Sequence, residues 1–155
     1  VPLYLQLEAI KKQLVPILLS QLAGCIIGVV SVVVIAKLMG APQEIIYSLA
    51  PKSVTTPIAM EVADTLGGIP ALMAAVVVCV GLLGSIIGIK TLKLTRIKSP
   101  IAQGLSLGAA AHAVGTSTAM DISSKYGAYA SLGLTLNGIF TALLTPTILR
   151  LLGLL

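Results

Sequence analysis

Residues 52–62 read KSVTTPIAMEV and residues 112–122 read HAVGTSTAMDI. Each run sets a basic side chain, a knot of hydroxyls and an acid into otherwise oily chain. Ionisable groups are costly in apolar surroundings and mark places where charge is bound or moved. Lys52 or a protonated His112 would balance a substrate carboxylate, and His112 also titrates near neutrality, as a coupling proton requires. Two polar tips, Ser53-Val54-Thr55-Thr56-Pro57 and Gly115-Thr116-Ser117-Thr118, supply the expected substrate contacts. In the first, Thr56 suits an N-cap and Pro57 a first helical residue. In the second, Thr116 or Ser117 suits a cap, with Thr118-x-x-Asp121 at the spacing of a capping box. A helix N-terminus so placed offers free N–H groups and the positive end of a dipole, both of which attract an anion. Glu61 and Asp121 join His112 as candidates for ion coupling. For Glu61, Asp64 and Lys125 the plainer role is a water-facing helix end.

Enzymatic chemistry finds little to work with. One His and two Cys in separate apolar stretches do not make a zinc set, and no Gly-rich phosphate loop is present. A Ser-His-Asp grouping from Ser117, His112 and Asp121 is arithmetic that many chains of this size allow. No catalytic residue, metal or cofactor is expected.

The elements that position the tips follow from composition. Hydrophobic residues make up 57% of the chain and charged residues 10%, where a soluble domain carries roughly a quarter charged. Residues 16–36, 69–89 and 128–149 contain no charge, and each approaches the ~20 residues that span a bilayer. The chain therefore reads as an all-α integral membrane protein, multi-pass in the cell membrane, with one transmembrane domain over 1–155. Span one runs to about Leu38 and holds Gln21; span two has Pro70 in its first turn; span three holds Asn137 and Pro146. Between them, about 42–66 and about 100–125, lie two stretches that are apolar for only ~10 residues at a time, half the hydrocarbon thickness. Gly24-x-x-x-Gly28, Gly84-x-x-x-Gly88 and Gly104-x-x-x-Gly108 predict close helix contacts, within the chain or in a homo-oligomer. Cys25 and Cys79 read as small packing residues. The net charge of +5 sits in Lys11, Lys12 and the Lys90–Lys98 connection, as short cytoplasmic loops require. With one Phe and no Trp, no nucleic-acid surface is expected.

The two polar runs also align as a repeat. Thr56 pairs with Thr116, Ala59-Met60 with Ala119-Met120, Glu61 with Asp121, Gly67 with Gly127 and Lys52 with His112, and an apolar span follows each copy. The repeat units are about 16–89 and about 100–153. If the basic loops are cytoplasmic, each polar copy enters and leaves on one side as a re-entrant hairpin, and the units are inverted. The rival arrangement, broken helices that cross fully, makes the repeats parallel. Inverted repeats with broken helices around a midplane site are a recurring transporter plan.

Pro51-Lys52-Ser53-Val54-Thr55-Thr56-Pro57-Ile58-Ala59-Met60 with Gly67-Gly68-Ile69-Pro70-Ala71-Leu72 resembles the signature of the LrgB/CidB family. Gln103-Gly104 and Gly108 through His112-Ala113-Val114-Gly115-Thr116 resemble its second signature, and Val1-Pro2-Leu3-Tyr4 the end of an earlier motif. The resemblance covers essentially the whole chain and implies further hydrophobic segments ahead of it in the complete protein. It also implies holin- or antiholin-like control of murein hydrolases and lysis, with a small LrgA/CidA-type membrane partner. Through a plastid glycolate/glycerate transporter it implies carriage of small monocarboxylates. Two functions result: a carrier for acids of the glycolate, lactate or pyruvate class, working by alternating access, or a holin-like regulator of permeability and autolysis.

Overall fold

A computed structural model describes residues 6–155; the Val1–Tyr4 motif lies outside them. Seven helices follow in order: α1 (Leu7–Lys12), α2 (Leu14–Leu38), α3 (Gln43–Leu49), α4 (Thr56–Thr65), α5 (Pro70–Leu94), α6 (Pro100–Ile122) and α7 (Ser124–Leu151). No strand occurs among the described residues. Helices α2, α5 and α7 are the ones long and apolar enough to cross a membrane. Helices α2 and α7 contain the uncharged stretches 16–36 and 128–149 and extend them at both ends, while α5 begins one residue into 69–89 and runs past it.

Local chemistry sets the boundaries. Pro70 and Pro100 open α5 and α6, where a missing N–H is harmless. The Ser99 and Ser123 hydroxyls accept from Ala102 N and Tyr126 N and so cap α6 and α7. Gly67 closes α4 at φ 81°, a backbone that L-residues with side chains rarely adopt, while Gly68 N donates to Ala63 O.

The long helices alternate in direction. Along α2 and α7, Ile17 clusters with Tyr129, Cys25 meets Thr141, and Ala36 clusters with Leu149, so the two run parallel. Helix α5 runs the other way: its early residue Met73 packs with Ala59 and Ala63 of α4, and its late residue Leu92 with Leu107 and Ala130. The ends of the bundle differ in charge. Lys11, Lys12, Lys90, Lys93, Arg96, Lys98 and Lys125 gather at the end where α2 and α7 begin, and Lys37 and Arg150 lie at the other.

Both polar copies interrupt a helix. Helix α3 stops at Leu49, residues 50–55 are irregular, and α4 begins. Helix α6 is two helices joined at Ala111 (φ −123°, ψ 16°) and His112 (φ 42°, ψ −127°). Around that joint the chain folds back. A Cβ on Gly115 would collide with the carbonyl oxygen of Leu107, whereas eight residues of continuous helix separate atoms by ~12 Å. Leu107 and Ala119 likewise share one cluster. The first copy turns in the same manner, because Ser48 of α3 receives a hydrogen bond from Ile69 N at the far end of α4 (2.6 Å).

Three expectations need correcting. The N-cap of α4 is Thr55, not Thr56, and its side chain makes no capping bond; its extended backbone (φ −66°, ψ 149°) is the non-helical geometry an N-cap takes, and Thr56 and Pro57 follow in the first turn. The second half of α6 starts at 113 rather than at Thr116 or Ser117. The Thr116 and Thr118 hydroxyls donate back to His112 O and Val114 O four residues earlier, so they are interior helical residues and not caps. Cys79 is exposed rather than packed, while Cys25 is buried against Thr141.

The glycine pairs divide sharply. Cβ atoms on Gly84 and Gly88 would strike Ala111 and Leu107, and on Gly104 and Gly108 they would strike Tyr129 and the Ala130 carbonyl. Those four let backbones touch, as expected. At Gly24 and Gly28 nothing lies within 4 Å, so that pair makes no helix contact within this chain. Accordingly, Gly108→Val in the full-length protein should lose about 1–3 kcal/mol to overpacking. Gly24→Ala should hold or gain up to ~1 kcal/mol from helix propensity. Thermal unfolding followed by size-exclusion chromatography in detergent measures both; equal loss in the two variants would contradict this division.

Candidate functional site

Asn137 stands at the middle of α7, within the longest apolar helix. Its amide nitrogen donates to Ser53 O (2.7 Å) in the first break and to Ala109 O (3.1 Å) just ahead of the second. Ser53 O belongs to irregular backbone, and Ala109 O to the last helical turn before the second break, where carbonyls lose their partners four residues on. One side chain thus satisfies both breaks and brings them together at mid-depth.

Beside this joint lies a cavity of about 420 Å³ between α2, the first break, the first half of α6, and α7. Its polar lining comprises Lys52, Ser53, Ser20, Gln21, Asn137, Thr141 and Ser106, with Cys25, and small residues cover much of the rest. Lys52 Nζ donates to Ser53 Oγ at 3.0 Å. No acid is part of the lining. A half-buried ammonium with no carboxylate beside it gives the cavity a positive interior, which favours an anion.

Of the residues that sequence reasoning singled out, the cavity takes in Lys52 and Ser53. Thr55 borders a separate shallow groove against Gly138 of α7, and Thr56 and Pro57 form the first turn of α4. His112 is itself part of the second break but not of the cavity lining; it is 3% exposed, and its ring meets α5, where Nε2–H donates to Val77 O at 2.9 Å. Its ring covers Gly81, where a Cβ would stand 2.6 Å from His112 Cε1. Its positive φ is a conformation that costs on the order of 1–3 kcal/mol and persists where surroundings over-determine it; here the ring bond and the glycine seat do so. Gly115 and Thr116 are buried within the fold-back, and Ser117, Glu61 and Asp121 are exposed on helix surfaces.

Sequence reasoning left Gln21, Cys25, Asn137 and Thr141 out of the site. The available signal was a lone amide in each of two apolar spans. Polar side chains in such spans turn to the protein interior, and both amides line the cavity.

The LrgB-like family model matches residues 1–151. A Bacillus subtilis protein, YwbG, is 40% identical over 149 residues, covering 96% of this chain and 66% of its own length. The holin-like protein CidB of Staphylococcus epidermidis is 35% identical over 97% of this chain, and the antiholin-like protein LrgB of Bacillus mycoides 34% over 99%; each is covered to 66%. The chain therefore spans just under two thirds of these relatives. No solved structure matches it significantly.

The double role of Asn137 is open to measurement. Asn137→Leu orphans two carbonyls at about 1–3 kcal/mol each. Amide hydrogen exchange in the full-length protein should rise together around 53–56 and 110–113, leaving the ends of α7 protected. A rise at one break alone would separate what this side chain joins.

Proposed function

The chain belongs to the LrgB-like family, and from that premise we propose that it is a holin/antiholin-like component of the cell membrane, where it governs permeability or murein hydrolase activity. The names carried by its Staphylococcus and Bacillus mycoides relatives support this reading. The complete protein works as a homo-oligomer with a small LrgA/CidA-type membrane partner and is not an enzyme. The two folded-back segments are re-entrant hairpins, and the repeat is inverted. The gathering of basic residues at one end supports a cytoplasmic position for that end, from which the second hairpin enters while the first enters from outside.

A second reading is favoured by one specific observation, the acid-free cavity with Lys52 at the meeting of the two breaks. There the protein carries small monocarboxylates of the glycolate, lactate or pyruvate class by alternating access. Lys52 balances the carboxylate and Ser53 orients it. Thr55, Thr56, Pro57, Gly115, Thr116 and Ser117 shape the two helix starts that move past it. His112, Glu61 or Asp121 passes the coupling proton.

One experiment separates the two. The full-length protein, with and without its partner, is reconstituted in vesicles holding a trapped dye, and uptake of labelled glycolate, lactate and pyruvate is followed. Carriage is saturable, accelerated by internal acid and reduced at least ~10-fold by Lys52→Met, as expected for loss of a charged partner, with dye retained. Release of dye without saturation sinks the carrier and leaves the holin-like role.

A further inference from the structure

Helix α2 carries Gln21, Gly24, Cys25 and Gly28 on one face, at the i, i+3, i+4 and i+7 spacing of a helical stripe, and all four line the mid-depth cavity. Three observations set this face apart from a packing surface. Gln21 is 5% exposed, and its Oε1 is the buried side-chain oxygen or nitrogen without a hydrogen-bond partner among the described residues. Asn137, the other amide on the cavity, spends both donors on the two breaks, so Gln21 is the amide whose bonds remain open. Side chains added at Gly24 or Gly28 would meet no atom within 4 Å, unlike those at Gly84, Gly88, Gly104 or Gly108. These glycines leave this face of α2 uncovered, Gly24 exposed and Gly28 partly so.

We infer that this face of α2 is the ligand-reading wall of the cavity: Gln21 donates from Nε2 to a small carboxylate seated against Lys52 and accepts at its open Oε1 from the hydroxyl of a hydroxy acid, and Gly24 with Gly28 sets how large that acid can be. An amide suits the task because it offers both a donor to a carboxylate oxygen and an acceptor to a neighbouring hydroxyl. A cavity of about 420 Å³ has room for roughly a dozen waters at ~30 Å³ each, so it admits a short acid with its hydration. A leucine projecting from either glycine would take up much of that space. The inference rests on the small-ligand reading of the cavity, and it adds a wall from a helix that neither polar copy contains.

The test places a reporter in the wall. In the full-length protein, reconstituted in vesicles and otherwise cysteine-free, Gly24→Cys is labelled with a small charged methanethiosulfonate. Glycolate, lactate and pyruvate, with neutral acetamide as control, are added as protectants, and uptake is measured on the same vesicles. The thiol should react readily and be slowed several-fold by the acids but not by acetamide. Gln21→Leu should weaken that protection about tenfold, the loss of one charge-assisted bond; Gln21→Glu, which keeps the shape, should abolish it by repulsion. Gly28→Leu, in the protein without the reporter, should reduce uptake of a branched acid before that of glycolate. Protection without uptake upholds the wall and removes the carrier reading. Intact Lys52-dependent uptake with no protection at Gly24→Cys overturns the wall and leaves the carrier. A thiol that resists labelling and instead forms disulfide-linked dimers makes this face a helix-packing surface, and it too overturns the inference.

Discussion

The arrangement depends on one requirement: backbone that leaves helical geometry inside an apolar layer must find hydrogen-bond partners within the protein. Asn137 meets it for two segments at once, by donating to Ser53 O and Ala109 O. Because the same nitrogen serves both, neither break can shift far from α7 without orphaning a carbonyl. The meeting of the two breaks, and hence the cavity beside them, follows from that shared donor. A hydrophobic residue at 137 would leave both carbonyls without this donor.

Glycine placement then decides what is solid and what is open. Around the second break the chain is as close as backbones can come, with Gly115 on Leu107, Gly84 on Ala111 and Gly108 on Ala130. Dispersion between closely set backbones replaces the hydrophobic drive that lipid tails remove. Around the first break the same residue type does the reverse, since Gly24 and Gly28 face empty space. An identical G-x-x-x-G spacing therefore has two meanings, and only the partner helix distinguishes them.

Much of this was legible in the residues alone. The three spans follow from uncharged runs, and both interruptions from hydroxyls, Gly and Pro within short apolar stretches. Lys52 and His112, paired in the sequence, each fall within a break. What escaped was tertiary. The second break falls at Ala111-His112 instead of among the hydroxyls because the breaking conformation is stabilised from outside, by Val77 O and the seat over Gly81. No local propensity announces a histidine at φ 42°. The wall contributed by α2 was hidden for a similar reason: Gln21 and Asn137 are single polar letters in apolar runs, and their convergence depends on how α2 and α7 lie together.

The two breaks are also built unequally. The first break is six irregular residues, 50–55, with an ammonium at its centre that keeps only Ser53 Oγ as a partner. The second is two residues, with a ring committed to a carbonyl and a backbone folded tightly on itself. A loosely held cation suits exchange of partners, because binding an anion costs it little existing structure. A ring hydrogen-bonded in a strained, over-determined turn suits holding a position, because any displacement forfeits its bond and its packing together. On this physical division the first break presents the charge, the second is held fixed by its own contacts with α5, and Asn137 ties the two together.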